Sequence, residues 1–529
     1  MPRHLIGVDV GTGSARAGVF TPDGTMLASA KHDITLYREA GSLVEQSSAE
    51  IWAAVCASVR AAVAEAGIVP ASVAGIGFDA TCSLVVLGEG GQPLPVGPSD
   101  DPARDIIVWM DHRAVEQAAR ITAQGHAVLA YVGGVISPEM QTPKLLWLRE
   151  NRPKVFDAAW QFFDLADFLT WKATGSLARS TCTLTCKWTY MAHEGRFDPS
   201  YFHQIGLGIL AEEGFARIGT EVVTPGTALA SGLTAQAALE LGLAVGTPVA
   251  AGLIDAHAGG MGTVGVTGDA TESLAYVFGT SSCTMTTTRE PVFVPGVWGP
   301  YFGAMVPGLW LNEGGQSAAG AAIERLLALH PRHAEAAALA KAEGLTLPVW
   351  LAARAAGSGL SQAVNLASGL HVVPEFLGNR APFADPNARA LIAGLGMESD
   401  LDSLMALYVA GLCGIGYGLR QIIETQAEHG APVRQIVISG GAGQADLVRQ
   451  LLADATGYPV VTSQAHEPVL LGSAIVASLA AGIHHDAAQA MTAMTRLHRI
   501  VEPVPTYVAI HAARYSSFCT LQQAARAVR

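Results

Sequence analysis

Short apolar runs alternate with polar, glycine-rich breaks along the first eighty residues. Leu5 to Val10 is one such run and ends in Gly11-Thr12-Gly13-Ser14; Ala15 to Phe20 follows, then Pro22-Asp23-Gly24, then Met26 to Ala30. This order predicts strand, tight turn, strand, hairpin, strand. Next, Ser47-Ser48-Ala49-Glu50 has the Ser-x-x-Glu form of a capping box, and Ile51, Val55, Val59 and Val63 recur at helical spacing as far as Ala66, where Gly67 can end the helix. Val73 to Phe78, closing on Asp79, reads as the following strand. Strands and helices alternate, which predicts an α/β fold.

The same beginning recurs in the second half. Leu274 to Phe278 is apolar and ends in Gly279-Thr280-Ser281-Ser282, 268 residues after the first glycine turn. Either a distant duplication or chance explains the pair, since such tetrapeptides are common. Glu313 to Gly320 leads into a helical run through Leu329. Gln435 to Ser439 reads as a strand ending in Gly440-Gly441-Ala442-Gly443, with a helix from about Gln444 to Thr456. The stretch from Lys341 to Leu370 has mixed polarity with scattered Gly and Ser, and reads as an inserted surface segment.

Length and charge narrow the class. A chain of 529 residues has room for about three or four domain-sized units of roughly 100–200 residues. Half its residues are hydrophobic and 15% are charged, with 32 Lys and Arg against 45 Asp and Glu, a net charge of −13. Without a dense basic tract, a broad nucleic-acid surface is not expected. Mean hydropathy is +0.32, but no uninterrupted apolar stretch reaches the roughly 18 residues of a spanning helix, so no membrane partner is expected. The first residues, Met1-Pro2-Arg3-His4, run straight into a strand without a secretory leader, and a cytoplasmic protein is expected. Seven dispersed cysteines without a C-x-x-C pair predict free thiols rather than disulfides or zinc.

Glycine turns at strand ends let backbone N–H groups wrap phosphate oxygens. The usual nucleotide fingerprints are missing, however: there is no Gly-Lys dipeptide and hence no Walker A loop, and no G-x-G-x-x-G opens a helix near the first strand. Protein-kinase motifs and a G-x-S-x-G elbow are missing too. What remains is Asp9 before a Gly-Thr-Gly-Ser turn, a Gly-Thr-Ser turn half a chain later, and a Gly-Gly-Ala-Gly corner after that.

In that order, from about Leu5 to Gly482, these motifs resemble the FGGY carbohydrate kinases. The resemblance implies two actin-like, ribonuclease H-type (ASKHA) α/β domains, residues 1–268 and 269–529, clasping ATP and a sugar between them. It implies that Asp9, Gly11, Thr12, Gly13 and Ser14 form one phosphate loop and Gly279, Thr280 and Ser281 the other. Gly440, Gly441 and Gln444 then match the adenosine segment, with Gly320 beside the nucleotide. Read singly, each of these glycines is an ordinary tight turn. Asp255, in Gly252-Leu253-Ile254-Asp255-Ala256-His257, matches the catalytic base; in isolation an Asp at such a place is a helix cap. Asp9 and Asp255 are the implied carboxylates for Mg²⁺, and Asp9 alone reads as a strand-end residue satisfying nearby N–H groups.

For the sugar, Gly77-Phe78-Asp79-Ala80-Thr81-Cys82-Ser83 resembles the ketopentose-kinase form and departs from the Gln-Met-His form of xylulokinases. Thr81, Cys82, Asp111, Lys187, Glu313 and Asp255 are the implied sugar contacts. Lys187 also reads as a solvated residue on an edge strand, and Arg380 as either a cleft residue or a structural ion pair. His484-His485 reads as a surface pair. The strings 109–114, 131–148 and 376–386 resemble the D-ribulokinase group, with L-ribulokinases, xylulokinases and pentitol kinases as alternatives. A homodimer and the transfer of phosphate from ATP to a ketopentose, D-ribulose first, are what the resemblance implies; a non-catalytic actin-like protein is the reading from another class.

Overall fold

The computed structural model describes residues 3–39 and 41–528; Met1 and Pro2, part of the stretch read for a leader, lie outside them. The first three strands fall where the apolar runs place them, at His4–Val10, Ser14–Phe20 and Met26–Asp33. They pair antiparallel in sequence order. Val73–Ala80 then joins parallel to His4–Val10, and Leu253–Ile254 joins parallel to Val73–Ala80.

The second half repeats this plan. Ser273–Phe278, Ser282–Thr288 and Trp310–Gln316 pair antiparallel, Gln435–Ser439 adds parallel to the first of them, and Val460–Ser463 adds parallel to that. Trp298–Phe302 and Leu497–Val501 extend the sheet to seven strands. Chance does not supply one strand order twice, so the paired glycine turns mark equivalent corners of two related domains. A further five-stranded sheet, running from Tyr37–Arg38 to Ala159–Asp164, elaborates the first half.

The helix expected after Ser47 spans Ser48–Glu65, and the Ser47 hydroxyl accepts from the Glu50 N–H. Only half of the expected capping box forms. Glu50 turns to Thr35 instead, accepting from its backbone N–H at 2.9 Å and its hydroxyl at 2.6 Å. Its carboxylate thereby pins the strand-to-helix loop rather than the helix's own first turn.

Residue 268 falls in the turn between the helix Asp255–Val264 and the strand Ser273–Phe278. The helix Pro468–Ala480 returns from the second half to pack on the first sheet and on Asp255–Val264. The two helices touch backbone to backbone. A Cβ on Gly262 would lie 2.0 Å from the Pro468 carbonyl, and one on Gly472 2.0 Å from that of Ala258, so only glycine permits this crossing. It fixes the height of Asp255 over the first sheet.

The expected surface segment 341–370 is only partly one: residues 341–346 are exposed, but Leu347–Ala356 is a mainly apolar helix whose Trp350, Leu351 and Ala355 are buried in the second core. The helix Leu401–Glu428 is long and apolar enough to cross a membrane by composition, but it runs through the same core. All seven cysteines are unpaired thiols.

Candidate active site

Two cavities meet at the second glycine turn, the inner one between the halves and the outer one within the second half. The inner one, of about 280 Å³, is lined by Asp9, Thr12, Thr81, Cys82, Lys187, Asp255, Ser281 and Glu313, most of the side chains the sequence singled out. Trp109, Glu139, Trp298 and Arg380 complete its wall. The outer one, of about 560 Å³, is lined by Gly279, Thr280, Gly320, Gly441 and Gln444 with the apolar Ile323, Pro348, Val349, Leu412 and Val448. The turn Gly279-Thr280-Ser281 is the partition between them.

Each glycine turn closes on itself, Gly11 N–H to Ser14 O three residues on at 3.0 Å and Gly279 N–H to Ser281 O two residues on at 2.9 Å. Their glycines are not demanded by the protein's own backbone. A Cβ on Gly13 or Gly441 would meet nothing within 4 Å, and on Gly11 or Gly279 only an ordinary contact at 3.8 or 3.7 Å. The space is left for something else, and backbone N–H groups bordering it suit phosphate oxygens. Gly320 and Gly440 act differently. A Cβ on Gly320 would lie 2.7 Å from Gly279 O, and Gly440 has φ +91° with Phe278 O 2.5 Å from where a Cβ would sit; both keep the loops close together. Gly13 and Ser14 complete the first turn but stand back from the cavity wall.

Asp255 is the first residue of its helix, not its cap; Ile254 holds that place. Its Oδ1 accepts only from the adjacent Ala256 N–H, at 2.7 Å. Burial and the charge of Asp9 together push its pKa up to about 6. Arg16 bridges Asp9 and Glu467, the latter at 2.8 Å. Asp79 beside them is fully buried, and burial with the Asp9 charge raises its pKa well above the carboxylate range; it accepts from the Ser473 hydroxyl at 2.5 Å. With Asp79 protonated, Asp9, Asp255 and Glu467 remain around one guanidinium. Oxygen donors and excess negative charge suit Mg²⁺, which takes one or two carboxylates, retains waters and binds phosphates; Asp9 and Asp255 are the pair that would hold it. Among the described residues, no three His, Cys, Asp or Glu side chains converge as a metal site by themselves.

Lys187 ends the helix Thr181–Lys187 rather than lying on an edge strand. It is buried, 4.8 Å above the Trp298 ring, where Arg380 also approaches at 5.8 Å. Burial disfavours the Glu313 charge, but Lys187, His257 and Arg380 outweigh it and hold the pKa down at about 2. Burial pushes the Cys82 thiol up to about 12, so it meets the cavity as a neutral group. Trp109 Nε1 donates to Thr12 Oγ1 at 3.0 Å and so ties the sugar-side wall to the phosphate turn. Lys144, wholly buried, supports it by donating to the carbonyls of Val108 and Trp109 at 3.1 and 3.3 Å. Trp109 was within the string that drew attention to Asp111, but nothing local marks it as facing the cleft.

Asp111 is corrected: the structure does not place it at the cavity. Both its oxygens are spent, Oδ1 on Arg113 N and Nε and Oδ2 on Val44 N and Arg113 Nη2, at 2.6–2.9 Å, and it has no exposed surface. Arg113 also reaches Glu45 and the Val96 carbonyl and lies over the Trp147 ring. The Trp-x-Asp-x-Arg string is therefore a buried, folded-back ion pair two residues beyond Trp109. His484 and His485 lie apart from the cleft, His484 bonded to Ser478 and His485 to Asp486.

With this geometry in place, comparison with known proteins gives its context. The family models described as the N- and C-terminal domains of the FGGY family of carbohydrate kinases match residues 4–262 and 274–481. The human "FGGY carbohydrate kinase domain-containing protein" is 45% identical over 513 residues, covering 95% of this chain and 93% of that protein. A protein of Saccharomyces cerevisiae named as a D-ribulokinase is 37% identical over 513 residues, covering 90% and 72%. Among solved structures, xylulose kinase from Rhodospirillum rubrum superposes with a TM-score of 0.82 at 22% identity, covering 99% of both chains, and so shares the fold. Matched by family models along both halves, this chain belongs to the FGGY family of carbohydrate kinases and is a phosphotransferase.

Proposed function

We propose that the protein transfers the γ-phosphate of ATP to the terminal hydroxyl of a ketopentose, D-ribulose first among them. The observation that carries this is the meeting of Asp255, Lys187 and Glu313 in one cavity that touches both glycine turns. Its volume of about 280 Å³ is at the small end of ligand pockets, roughly 300–1,000 Å³, as a small polyol requires. The 37% identity to a yeast protein named as a D-ribulokinase supports the choice of sugar.

The division of labour follows from the walls. The apolar face of Ile323, Pro348, Val349 and Leu412 takes the adenine, and Gly441 leaves room for the ribose. The open turns at Gly11 and Gly279 present N–H groups to the phosphates from opposite sides. Lys187 and Glu313 give the sugar a charged donor and a charged acceptor, and Trp109 and Trp298 hem it in. Asp255 accepts the proton of the terminal hydroxyl as that oxygen bonds to the γ-phosphorus and the bond to ADP breaks. Asp9 and Asp255 would hold Mg²⁺, which would supply charge neutralisation of the phosphates when bound.

A panel of D-ribulose, L-ribulose, D-xylulose, ribitol and glycerol, read as kcat/KM by coupled ADP release, tests the reading. D-ribulose is expected to lead. A tenfold preference for any other member overturns that choice of substrate, and ADP release with none overturns the ketopentose reading.

Two further outcomes are expected. Gly11→Ala has space for its methyl in the empty protein, so its melting temperature stays near that of the parent. The methyl nonetheless takes room left for phosphate, so KM for ATP rises on the order of tenfold, about one lost hydrogen bond; an unchanged KM removes the loop from nucleotide binding. The pH profile of kcat/KM has an acid limb, because Asp255 must be ionised to accept a proton and its pKa is about 6. Activity falls on the acid side, and that limb is expected to vanish from the residual activity of Asp255→Asn; an unchanged limb in that variant rules out this carboxyl as the titrating base.

A further inference from the structure

A buried polar group behind the sugar cavity has no part in the chemistry above. His257 lies two residues after Asp255 on the same helix and is fully buried. Its Nδ1 is 3.1 Å from Cys182 Sγ and its Nε2 is 3.3 Å from Glu313 Oε2. The three groups come from three elements, Thr181–Lys187, Asp255–Val264 and Trp310–Gln316. The first also carries Lys187, the second Asp255 and the third the cavity-facing Glu313. One imidazole thus joins the elements that bring Lys187, Asp255 and Glu313 to the cavity, and it crosses from the first half to the second.

The sequence Cys, His, Glu has the outline of a nucleophile with its base and orienting acid. Access excludes that role. Cys182 has no exposed surface, its sulfur accepts from the Ile254 N–H at 3.3 Å, and Cys186 Sγ lies 3.9 Å from the same ring nitrogen. The group is a support.

Hydrogen-bond roles then follow by elimination. An ionised Glu313 can only accept, so the proton between the two residues is on His257 Nε2. Nδ1 meets the sulfur, which either donates as a thiol or accepts as a thiolate, and both ring nitrogens are satisfied in either case. With Oε2 committed to His257, the other Glu313 oxygen is left for the cavity that the residue lines.

We propose that His257 is a positioning residue for sugar recognition: its Nε2–H fixes one oxygen of Glu313 so that the other faces the sugar, and Cys182 holds the ring at that angle. This rests on reading the inner cavity as the sugar site. The catalytic residue is Asp255; His257 acts only through Glu313.

The test uses the full-length enzyme with whichever sugar the panel shows to be preferred, so a wrong choice of ketopentose is exposed there and not here. His257→Ala is expected to raise the sugar KM by about tenfold, the weight of one lost charged hydrogen bond, with the ATP KM unchanged. His257→Gln places an amide N–H near the site of Nε2 and is expected to recover most of the loss. An unchanged sugar KM in His257→Ala, an equal rise in both KM values, or a Gln variant no better than Ala overturns the proposal. Should His257→Ala not fold, nitrogen-15 NMR of the parent enzyme decides, with the signal assigned by its disappearance in His257→Gln. A protonated Nε2 is expected, and an unprotonated one overturns it.

Discussion

Asp255→Asn lowers kcat by roughly 10²–10⁴-fold, the range that a positioned general base supplies, while the sugar and ATP KM values stay within a few-fold. The amide keeps the shape of the carboxylate but loses its negative charge and, with it, the ability to take the proton. Stability moves the other way. The folded-state pKa of Asp255 is raised from 3.8 to about 6, so the protonated form is the one the fold favours. Its contribution to stability is fully present below pH 3.8 and is lost as pH rises through 6. By neutral pH the ionised group costs about 3 kcal/mol, as an order of magnitude, through burial and repulsion from Asp9. Asn carries neither cost, so the variant is expected to melt no lower than the parent at pH 8 and higher if the neighbours do not rearrange. Calorimetry beside turnover reads both. A variant with normal turnover removes Asp255 from catalysis, and one that is inactive with a much lower melting temperature shows a structural role instead.

Asp111→Ala does the opposite: it melts early and keeps its sugar KM. Removing one partner of a buried ion pair costs about 3–5 kcal/mol because the other charge is left without compensation. Glu45 remains 2.9 Å from Arg113 and softens the loss, which puts the expectation near 3 kcal/mol. For a domain of this size that is roughly 6–12 °C in melting temperature. The sugar KM, measured at 20 °C on folded protein, stays within about threefold because the carboxylate does not line the cavity. A large rise in sugar KM without a fall in melting temperature returns Asp111 to the sugar site.

These two aspartates show what a motif conveys. Each follows an apolar run, and each matches a family string. Asp255 faces the cavity because Leu253–Ile254 ends at the sheet edge and the helix starts at once, so its carboxylate has only the Ala256 N–H for a local partner. Asp111 is drawn inward because Arg113, two residues on, folds back to chelate it and Val44 comes from another strand to complete the bond set. Nothing local in 109–114 says which will happen. Lys187 is similar: a seven-residue run with three Thr and two Cys fits a strand by propensity, but Ser180 caps it as a helix by accepting from Cys182 N–H.

Local order was legible in the chain because it depends on near neighbours. The strands at both glycine turns, the helix after Ser47 and the corner at Gly440 follow from apolar spacing and from residues that end or cap an element. The glycine turns, taken with Asp9 and Asp255 and their order along the chain, named the family. Tertiary structure alone decided the rest, since charge and burial are properties of neighbours far apart in sequence. It placed Trp109, Trp298 and Arg380 on the inner cavity, kept Asp111 away from it, brought Pro348 and Val349 to the wall of the outer one, and set His257 between Cys182 and Glu313, 75 and 56 residues away along the chain. A side chain's chemistry is fixed by its covalent structure, but its protonation, its partners and whether it meets a ligand are fixed by what the fold brings against it.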